Sequence, residues 1–147
     1  MFRMRDEDTI ENSGPIREEP SERRALDRVA AHTLAVEAGA RAWEDAVIMK
    51  AEPLLADIAP QIVRAVGSIA ANIAEGYARR SPRDRTRFYE YALGSVEEAE
   101  AWYGNARHTL PASALDDRHA RLTSIRRLLL VMIRNERTRA NWNSPKR

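Results

Sequence analysis

The chain has 147 residues, of which 44% are hydrophobic and 31% charged, and these values suit one soluble domain with a single core. Cysteine is absent, which excludes disulfides, thiolate metal sites and cysteine nucleophiles and favours a cytoplasmic location. No apolar run approaches the roughly 20 residues that a transmembrane helix needs, and the polar N-terminus does not resemble a signal peptide. The net charge is only +2, but acids are enriched in positions 1–22 and bases in 121–147, a distribution that allows polyanion binding.

The first predicted elements are an arm and a helix. Residues 1–20 are rich in charge and show no apolar period, so we expect a disordered arm. Ser21 then stands in an N-cap position ahead of a first helix that should end before Pro53. Apolar residues spaced alternately by three and four predict the face of this helix that packs on the core. That face comprises Leu26, Val29, Thr33, Val36, Ala40, Trp43 and Val47.

A second helix is predicted over residues 57–79. Asp57 is its candidate N-cap, and Pro60 falls in the first turn, where a missing amide hydrogen is tolerated. The spacing of its apolar residues places them on one side of the helix. This series runs Ile58, Ile62, Val66, Ile69, Ile73 and Tyr77.

Two further helices complete the predicted fold. Ser81 and Pro82 supply a cap and a first helical position for helix three. Its face comprises Phe88, Ala92, Ser95, Ala99, Trp102, Ala106 and Leu110. Helix four begins near Ser113, and its face comprises Leu115, Leu122, Ile125, Leu128, Leu129, Met132 and Ile133. Short connections between these helices predict an all-α, antiparallel up-down-up-down four-helix bundle over 21–140, followed by a basic tail at 141–147.

Helix four also has apolar residues outside its main stripe. At about 100° per residue, Leu130 and Val131 point away from the arc that holds Leu122, Ile125 and Leu129. A single small bundle has no second core for them, so we predict that they contact another subunit in a homo-oligomer. The alternative is that they are isolated apolar residues on the surface.

The most distinctive stretch joins helices two and three. It reads S-I-A-A-N-I-A-E-G-Y-A-R-R-S from Ser68 to Ser81 and continues with R-F-Y-E-Y-A-L-G-S-V-E-E-A-E from Arg87 to Glu100. These linked motifs resemble the four-helix-bundle family encoded in intervening sequences of bacterial 23S ribosomal RNA genes. The resemblance extends over 24–139 and implies a ring-forming homo-oligomer, typically a pentamer, with no established catalytic activity. The fold it implies is shared by the accessory variability protein of diversity-generating retroelements, which partners a reverse transcriptase and binds nucleic acid through a basic surface.

Polar residues accompany the apolar series of helices two and three. They are Ser68, Asn72, Glu75, Ser95 and Glu98. Polar groups that face a bundle interior must find partners, so we predict a hydrogen-bonded layer that fixes the register of the helices. A ligand-binding role for the same residues is the alternative. Gly76 and Gly94 would allow close approach of the helices.

Motifs for catalysis are lacking in this sequence. A di-iron bundle needs Glu-x-x-His motifs, which are absent, and Asp116 with His119 is only a lone pair. There is neither a nucleophile-elbow sequence nor a glycine-rich phosphate loop. We therefore expect no catalytic residue, no metal site and no cofactor.

Arginine residues form two clusters. One surrounds the turn between helices two and three and comprises Arg79, Arg80, Arg83, Arg85 and Arg87. The other spans an arc of about 100° on helix four and comprises Arg126, Arg127, Arg134 and Arg137. With Arg139, Lys146 and Arg147, these clusters predict a bundle that binds the RNA or DNA backbone without being an enzyme, as an accessory to a reverse transcriptase or another nucleic-acid enzyme.

Two alternatives to nucleic-acid binding stay open. Arginine-rich helix faces are often solvated and neutralised by acids three or four residues away, as Glu90, Glu97 and Glu100 could do here. The bundle would then be a structural or protein-interaction scaffold that recruits its partner through helix four or the acidic arm.

Overall fold

The structure, a computed structural model, describes residues 20–142 apart from the side chains of Pro20, Glu22, Arg23, Leu26 and Trp142. Its α-helices are α1 (Pro20–Lys50), α2 (Ala59–Ala78), α3 (Pro82–Tyr103) and α4 (Ala112–Trp142), with short 3-10 helices at Pro53–Leu55 and Gly104–His108. No strand occurs within this range, so the prediction of an all-α fold with four helices is confirmed. The predicted arm, apart from Pro20, and the predicted phosphate contacts Lys146 and Arg147 lie outside the described residues.

The helix ends follow local capping rules in part. The Ser81 hydroxyl oxygen accepts a hydrogen bond from the Asp84 backbone N–H at 3.0 Å, which confirms the predicted cap of α3. The predicted cap of α2 was wrong, because Ile58 occupies the N-cap position and makes no side-chain cap bond. The α-helical part of the third helix ends at Tyr103, and the chain continues as a 3-10 helix instead of reaching Leu110.

The core lies where each helix meets its two neighbours. The α1 helix packs on α2 and α4, and α3 packs on the same two helices. The predicted face of α2 is buried at Ile62, Val66, Ile69 and Ile73, whereas Tyr77 at its end is exposed. The fourth helix buries the middle of its predicted stripe, namely Leu122, Ile125, Leu129, Met132 and Ile133.

The face of α1 that was predicted to be buried points into solvent, so this prediction was wrong. We call it the outer seam; within the described side chains it comprises Val29, Thr33, Val36, Ala40, Trp43 and Val47, all exposed. The buried face of α1 consists mainly of small residues: Ala31, Ala35, Ala38, Ala42, Ala46 and Met49. The other three helices already fill the core with isoleucine, leucine and Tyr89, so a close-packed interior has room only for alanine along most of α1.

The backbone of α2 passes close to α3 at Gly76. A Cβ atom at Gly76 would lie 2.7 Å from Cε1 of Tyr89 and 3.0 Å from Cβ of Phe88. A Cβ atom at Gly94 would meet no atom within 4 Å. The predicted close approach of helices is therefore confirmed at Gly76, and Gly94 lies on an open surface instead.

We expect Gly76→Ala to lower the free energy of unfolding by about 1–3 kcal/mol, because the Tyr89 ring must move within a packed core. Gly94→Ala is the matched control and should raise it by about 0.5–1 kcal/mol, because alanine has less backbone entropy to lose in an open helix position. Urea denaturation of both variants measures the two changes in the free energy of unfolding. A stabilised Gly76→Ala variant would show that the ring moves aside without cost.

Candidate nucleic-acid interface

Helix termini bring the first predicted arginine cluster and the C-terminal part of the second to one end of the molecule. The Arg79 guanidinium at the end of α2 lies 4.8 Å from the ring centroid of Phe88 on α3. Arg137 near the end of α4 forms an ion pair with Glu90 of α3. An open groove of about 340 Å³ lies between the first half of α3 and the last turns of α4. It is lined by Arg83, Asp84, Thr86, Arg87, Glu90, Arg137 and Ala140.

We call the exposed arginines at and beside this groove the arginine face. Its members are Arg80, Arg83, Arg87, Arg134 and Arg137. Arg134 precedes Arg137 by three residues and so lies about 60° around α4 from it. The face therefore combines residues of both clusters, which lie about fifty positions apart in the sequence.

Several predicted phosphate contacts already have carboxylate partners. Arg126 pairs with Glu97, at 2.8 Å, and with Glu100, and these bonds raise the pKa of its guanidinium. Arg79 pairs with Glu75, and Arg139 lies 3.4 Å from Glu136. The alternative of neutralised arginines thus holds for part of the set, and a phosphate would have to displace an existing partner at these positions.

Four other predicted contacts are exposed, and their guanidinium groups have no ion-pair or hydrogen-bond partner among residues 20–142. They are Arg80, Arg83, Arg127 and Arg134. Arg87 is also exposed, and its guanidinium lies 5.6 Å from the ring centroid of Phe88 and 6.0 Å from that of Tyr91. These side chains can bind an anion without first losing a carboxylate.

The acids of the groove are already engaged. Glu90 is the partner of Arg137, and one carboxylate oxygen of Asp84 accepts a hydrogen bond from the Ser81 hydroxyl at 2.7 Å. The Ser81 hydroxyl is neutral and leaves Asp84 charged, but within residues 20–142 neither acid pairs with Arg83 or Arg87, so these two arginines have no dedicated counterion in the groove that they line. An incoming phosphate would supply one, and the guanidinium fork suits bidentate contact with its oxygens.

Arg85 differs from its neighbours because it is buried, with only 7% of its surface exposed. Its Nη1 donates to the carbonyl oxygens of Arg79 and Arg80, each at 2.8 Å, and its Nη2 lies 3.0 Å from buried Glu136. Its assignment to the phosphate-binding cluster was therefore wrong. It holds the α2–α3 turn against α4.

The predicted polar layer does not connect the helices. Ser68 donates to the Arg64 carbonyl oxygen at 2.8 Å, and Asn72 donates to the Ser68 carbonyl oxygen at 2.9 Å. Ser95 likewise donates within its own helix, and the exposed Glu75 and Glu98 bond to Arg79 and Trp102 of theirs. The structure corrects the prediction, because these side chains bond to groups four residues away.

The buried polar contacts that do join helices lie elsewhere. Asp45 of α1 accepts hydrogen bonds from Arg118 of α4 at 2.8 and 2.9 Å and from the Tyr103 hydroxyl of α3 at 2.8 Å. Burial and this bond to a carboxylate raise the pKa of Tyr103 above its ordinary value. Sequence reasoning missed this site, although Asp45 interrupts the alanine row of α1 and an acid there requires a partner.

The residues predicted to contact another subunit are partly accessible. Leu130 is 50% exposed, and Val131 is half-buried. Both remain available in the isolated chain, with Leu130 between Arg127 and Arg134 along α4. The larger exposed apolar surface, however, is the outer seam of α1.

Neither a metal-ligand cluster nor a membrane-spanning helix occurs in the described range. Among residues 20–142, no three His, Asp or Glu side chains gather as ligands for a metal ion. His119 lies 3.5 Å from Glu100, which makes a pair and not a ligand set. None of the helices in this range combines the length and apolarity that crossing a membrane requires.

Comparison with known proteins gives a family and a fold. A family model for the 23S rRNA-intervening sequence protein matches residues 49–130. The fold is similar to the crystal structure of a protein with unknown function from the S23 ribosomal protein family of Bacteroides thetaiotaomicron. The TM-score is 0.65 at 23% sequence identity, and the match covers 70% of this chain and 97% of that chain. No curated protein matches.

Proposed function

This chain belongs to the 23S rRNA-intervening sequence protein family, and on that premise we propose that it binds the phosphate backbone of RNA or DNA through the arginine face, without enzymatic activity of its own. The groove between α3 and α4 is the observation that supports this most, because Arg83 and Arg87 line it without dedicated counterions. Contacts to phosphates position a protein but carry no base information. The binding is therefore expected to depend little on sequence.

Unpaired arginines should contribute most of the affinity. Each phosphate that a guanidinium neutralises releases condensed counterions, which makes binding fall steeply with salt. Arg83, Arg87 and Arg134 can do this directly, whereas Arg126 would first have to leave Glu97 and Glu100. We therefore expect Arg83, Arg87 and Arg134 to contribute strongly to the affinity for nucleic acid and Arg126 to contribute weakly.

The assembly in this proposal is a ring-forming homo-oligomer of up-down-up-down bundles. Arg28 near the start of α1 lies 4.7 Å from the ring centroid of Tyr77 near the end of α2, which supports an antiparallel pair. Arg85 near the start of α3 contacts Glu136 near the end of α4, which supports another. Several arginine faces on one assembly would raise affinity through effective concentration. A partnership with a reverse transcriptase or another nucleic-acid enzyme stays a prediction.

The test is a triple variant that combines Arg83→Ala, Arg87→Ala and Arg134→Ala. Its binding to a single-stranded oligo(U) RNA and to a DNA duplex is measured by fluorescence anisotropy between about 50 and 200 mM salt. We expect the Kd to rise at least tenfold and the slope of log Kd against log salt to fall by about 2–3, since three phosphate contacts are lost. The control variant removes the same charge from other exposed positions, namely Arg41, Arg64 and Arg107.

The control should retain the wild-type slope. An equal loss in both variants would mean that net charge alone drives binding, and an unchanged triple variant would remove the arginine face from the proposal. Wild-type protein that binds neither probe would overturn nucleic-acid binding. The second candidate function, a protein-interaction scaffold favoured by the exposed outer seam, would then take its place.

A further inference from the structure

Two aromatic rings lie among the arginines of α3, beside the groove. Tyr91 is 51% exposed, and its ring centroid lies 5.7 Å from that of half-buried Phe88, with the two ring planes nearly perpendicular. The Arg87 guanidinium lies 5.6 Å from the Phe88 centroid and 6.0 Å from the Tyr91 centroid, and the Arg79 guanidinium lies 4.8 Å from the Phe88 centroid. We call the rings of Phe88 and Tyr91 the aromatic platform.

Tyr91 continues the row of arginines that lines the groove. It follows Arg87 by four residues and Arg83 by eight, so the three side chains lie within about 80° of one another around α3. The core-facing tyrosine of this helix is Tyr89, which is fully buried. The half-exposed Tyr91 ring therefore belongs to the arginine-bearing surface of α3 and not to the core of the bundle.

The surroundings of Tyr91 on its own helix suit an anionic ligand. Its neighbours at spacings of three and four residues are Arg87, Phe88, Gly94 and Ser95, none of them an acid. Helical side chains point towards the N-terminus, so a side chain at position 94 would extend towards Tyr91. Gly94 has none, and a Cβ atom built there would meet nothing within 4 Å. The next turn of α3 thus leaves room beside the ring.

We propose that the aromatic platform stacks an unpaired base of a single-stranded nucleic acid, which rests on the backbone binding proposed above and names the class of ligand. Arg87 borders both the groove and the Tyr91 ring, so a nucleotide whose phosphate binds this guanidinium can bring its base, or the next one, to the ring. Every base has a flat face, so such stacking tolerates any sequence. The bases of a duplex already stack on one another and do not reach the ring.

Salt separates the contribution of the ring from that of the arginines. Loss of an arginine removes a phosphate contact and lowers the slope of log Kd against log salt. Tyr91 is uncharged, so its loss should weaken binding at every salt concentration and leave this slope unchanged. Stacking of one base on an aromatic side chain corresponds to roughly 5- to 150-fold in affinity.

The test compares Tyr91→Leu, which keeps an apolar side chain, with Tyr91→Phe, which keeps the ring. Fluorescence anisotropy gives the Kd for single-stranded oligo(dT), for an abasic strand with the same number of phosphates and for a DNA duplex. The wild type should bind oligo(dT) at least about fivefold more tightly than the abasic strand. Tyr91→Leu should lose most of this preference and Tyr91→Phe should keep it. Both variants should bind the abasic strand and the duplex as the wild type does.

The comparison of the two strands with wild-type protein does not depend on how any variant folds. Equal wild-type affinity for oligo(dT) and the abasic strand would overturn base stacking and leave backbone binding intact. A preference for oligo(dT) that Tyr91→Leu retains, or that Tyr91→Phe loses equally, would remove the Tyr91 ring from the proposal. Wild-type protein that binds none of the three probes would instead overturn the proposed function itself, so the two failures give different results.

Discussion

Replacing Asp45 with alanine is expected to lower the free energy of unfolding by about 2–4 kcal/mol, because Arg118 loses its buried counterion and keeps only the half-exposed Asp117, at 2.7 Å, while the Tyr103 hydroxyl loses its acceptor. Asp45 is 2% exposed and accepts three hydrogen bonds from two other helices, so water cannot replace it. The expected fall in Tm is roughly 4–16 °C for a domain of this size. Thermal unfolding followed by circular dichroism measures it.

Two further variants separate the charge from the packing. Glu44→Ala removes a neighbouring acid whose only ion pair within residues 20–142 is an exposed one with Arg41, and it should change stability by at most about 0.5 kcal/mol. Asp45→Leu combined with Arg118→Leu removes both charges and should recover part of the loss, since apolar residues often replace a buried ion pair at little cost, while the Tyr103 hydroxyl still lacks its acceptor. An Asp45→Ala variant as stable as Glu44→Ala would mean that Arg118 reaches solvent and that the buried pair contributes nothing.

Arg85→Ala should destabilise the protein by a similar amount, about 3–5 kcal/mol, because Glu136 would then be buried without its nearest partner. The same change removes the donor to the carbonyl oxygens of Arg79 and Arg80, which lie in the α2–α3 turn. Urea denaturation gives the free energy of unfolding, and hydrogen exchange of the amides of residues 79–81 should accelerate as the turn loosens.

Arg83→Ala is the matched control two positions earlier. The Arg83 side chain is exposed and its guanidinium has no ion-pair or hydrogen-bond partner within residues 20–142, so its loss should change stability by at most about 0.5 kcal/mol. The two variants should therefore differ: loss of Arg85 should lower stability, whereas loss of Arg83 should weaken phosphate binding. Equal stabilities of the two variants would show that Arg85 does not hold the turn.

The contrast between these arginines changes how the basic motif is interpreted. The stretch from Arg79 to Arg87 looks like one cluster in the sequence, yet the fold assigns its members different tasks. Arg79 pairs with Glu75, Arg85 pairs with Glu136, and only the others are available to an external anion. A cluster of like charges predicts a binding surface only after its carboxylate partners are known.

The sequence by itself determined the local features of this protein. The number and order of the helices, the Ser81 cap and the buried face of α2 all follow from residues within a few positions of one another. Capping and helical period are local effects. Because α2 carries one apolar stripe, only that face could be predicted to pack on the core. The close approach at Gly76 was predicted from the residue type alone, since glycine has no side chain. Gly94 shows that a glycine by itself does not imply a contact between helices.

Only the tertiary structure decided which face of α1 is buried and which charges lie inside. The first helix has two stripes of helical period, one of large residues and one of alanines, and transfer free energy alone favours burying the large ones. The space left by α2, α3 and α4 admits the alanines instead, so the large residues form the outer seam. Asp45 and Arg85 are buried because Arg118 and Glu136, each more than fifty residues away, meet them there, and no local pattern contains that information.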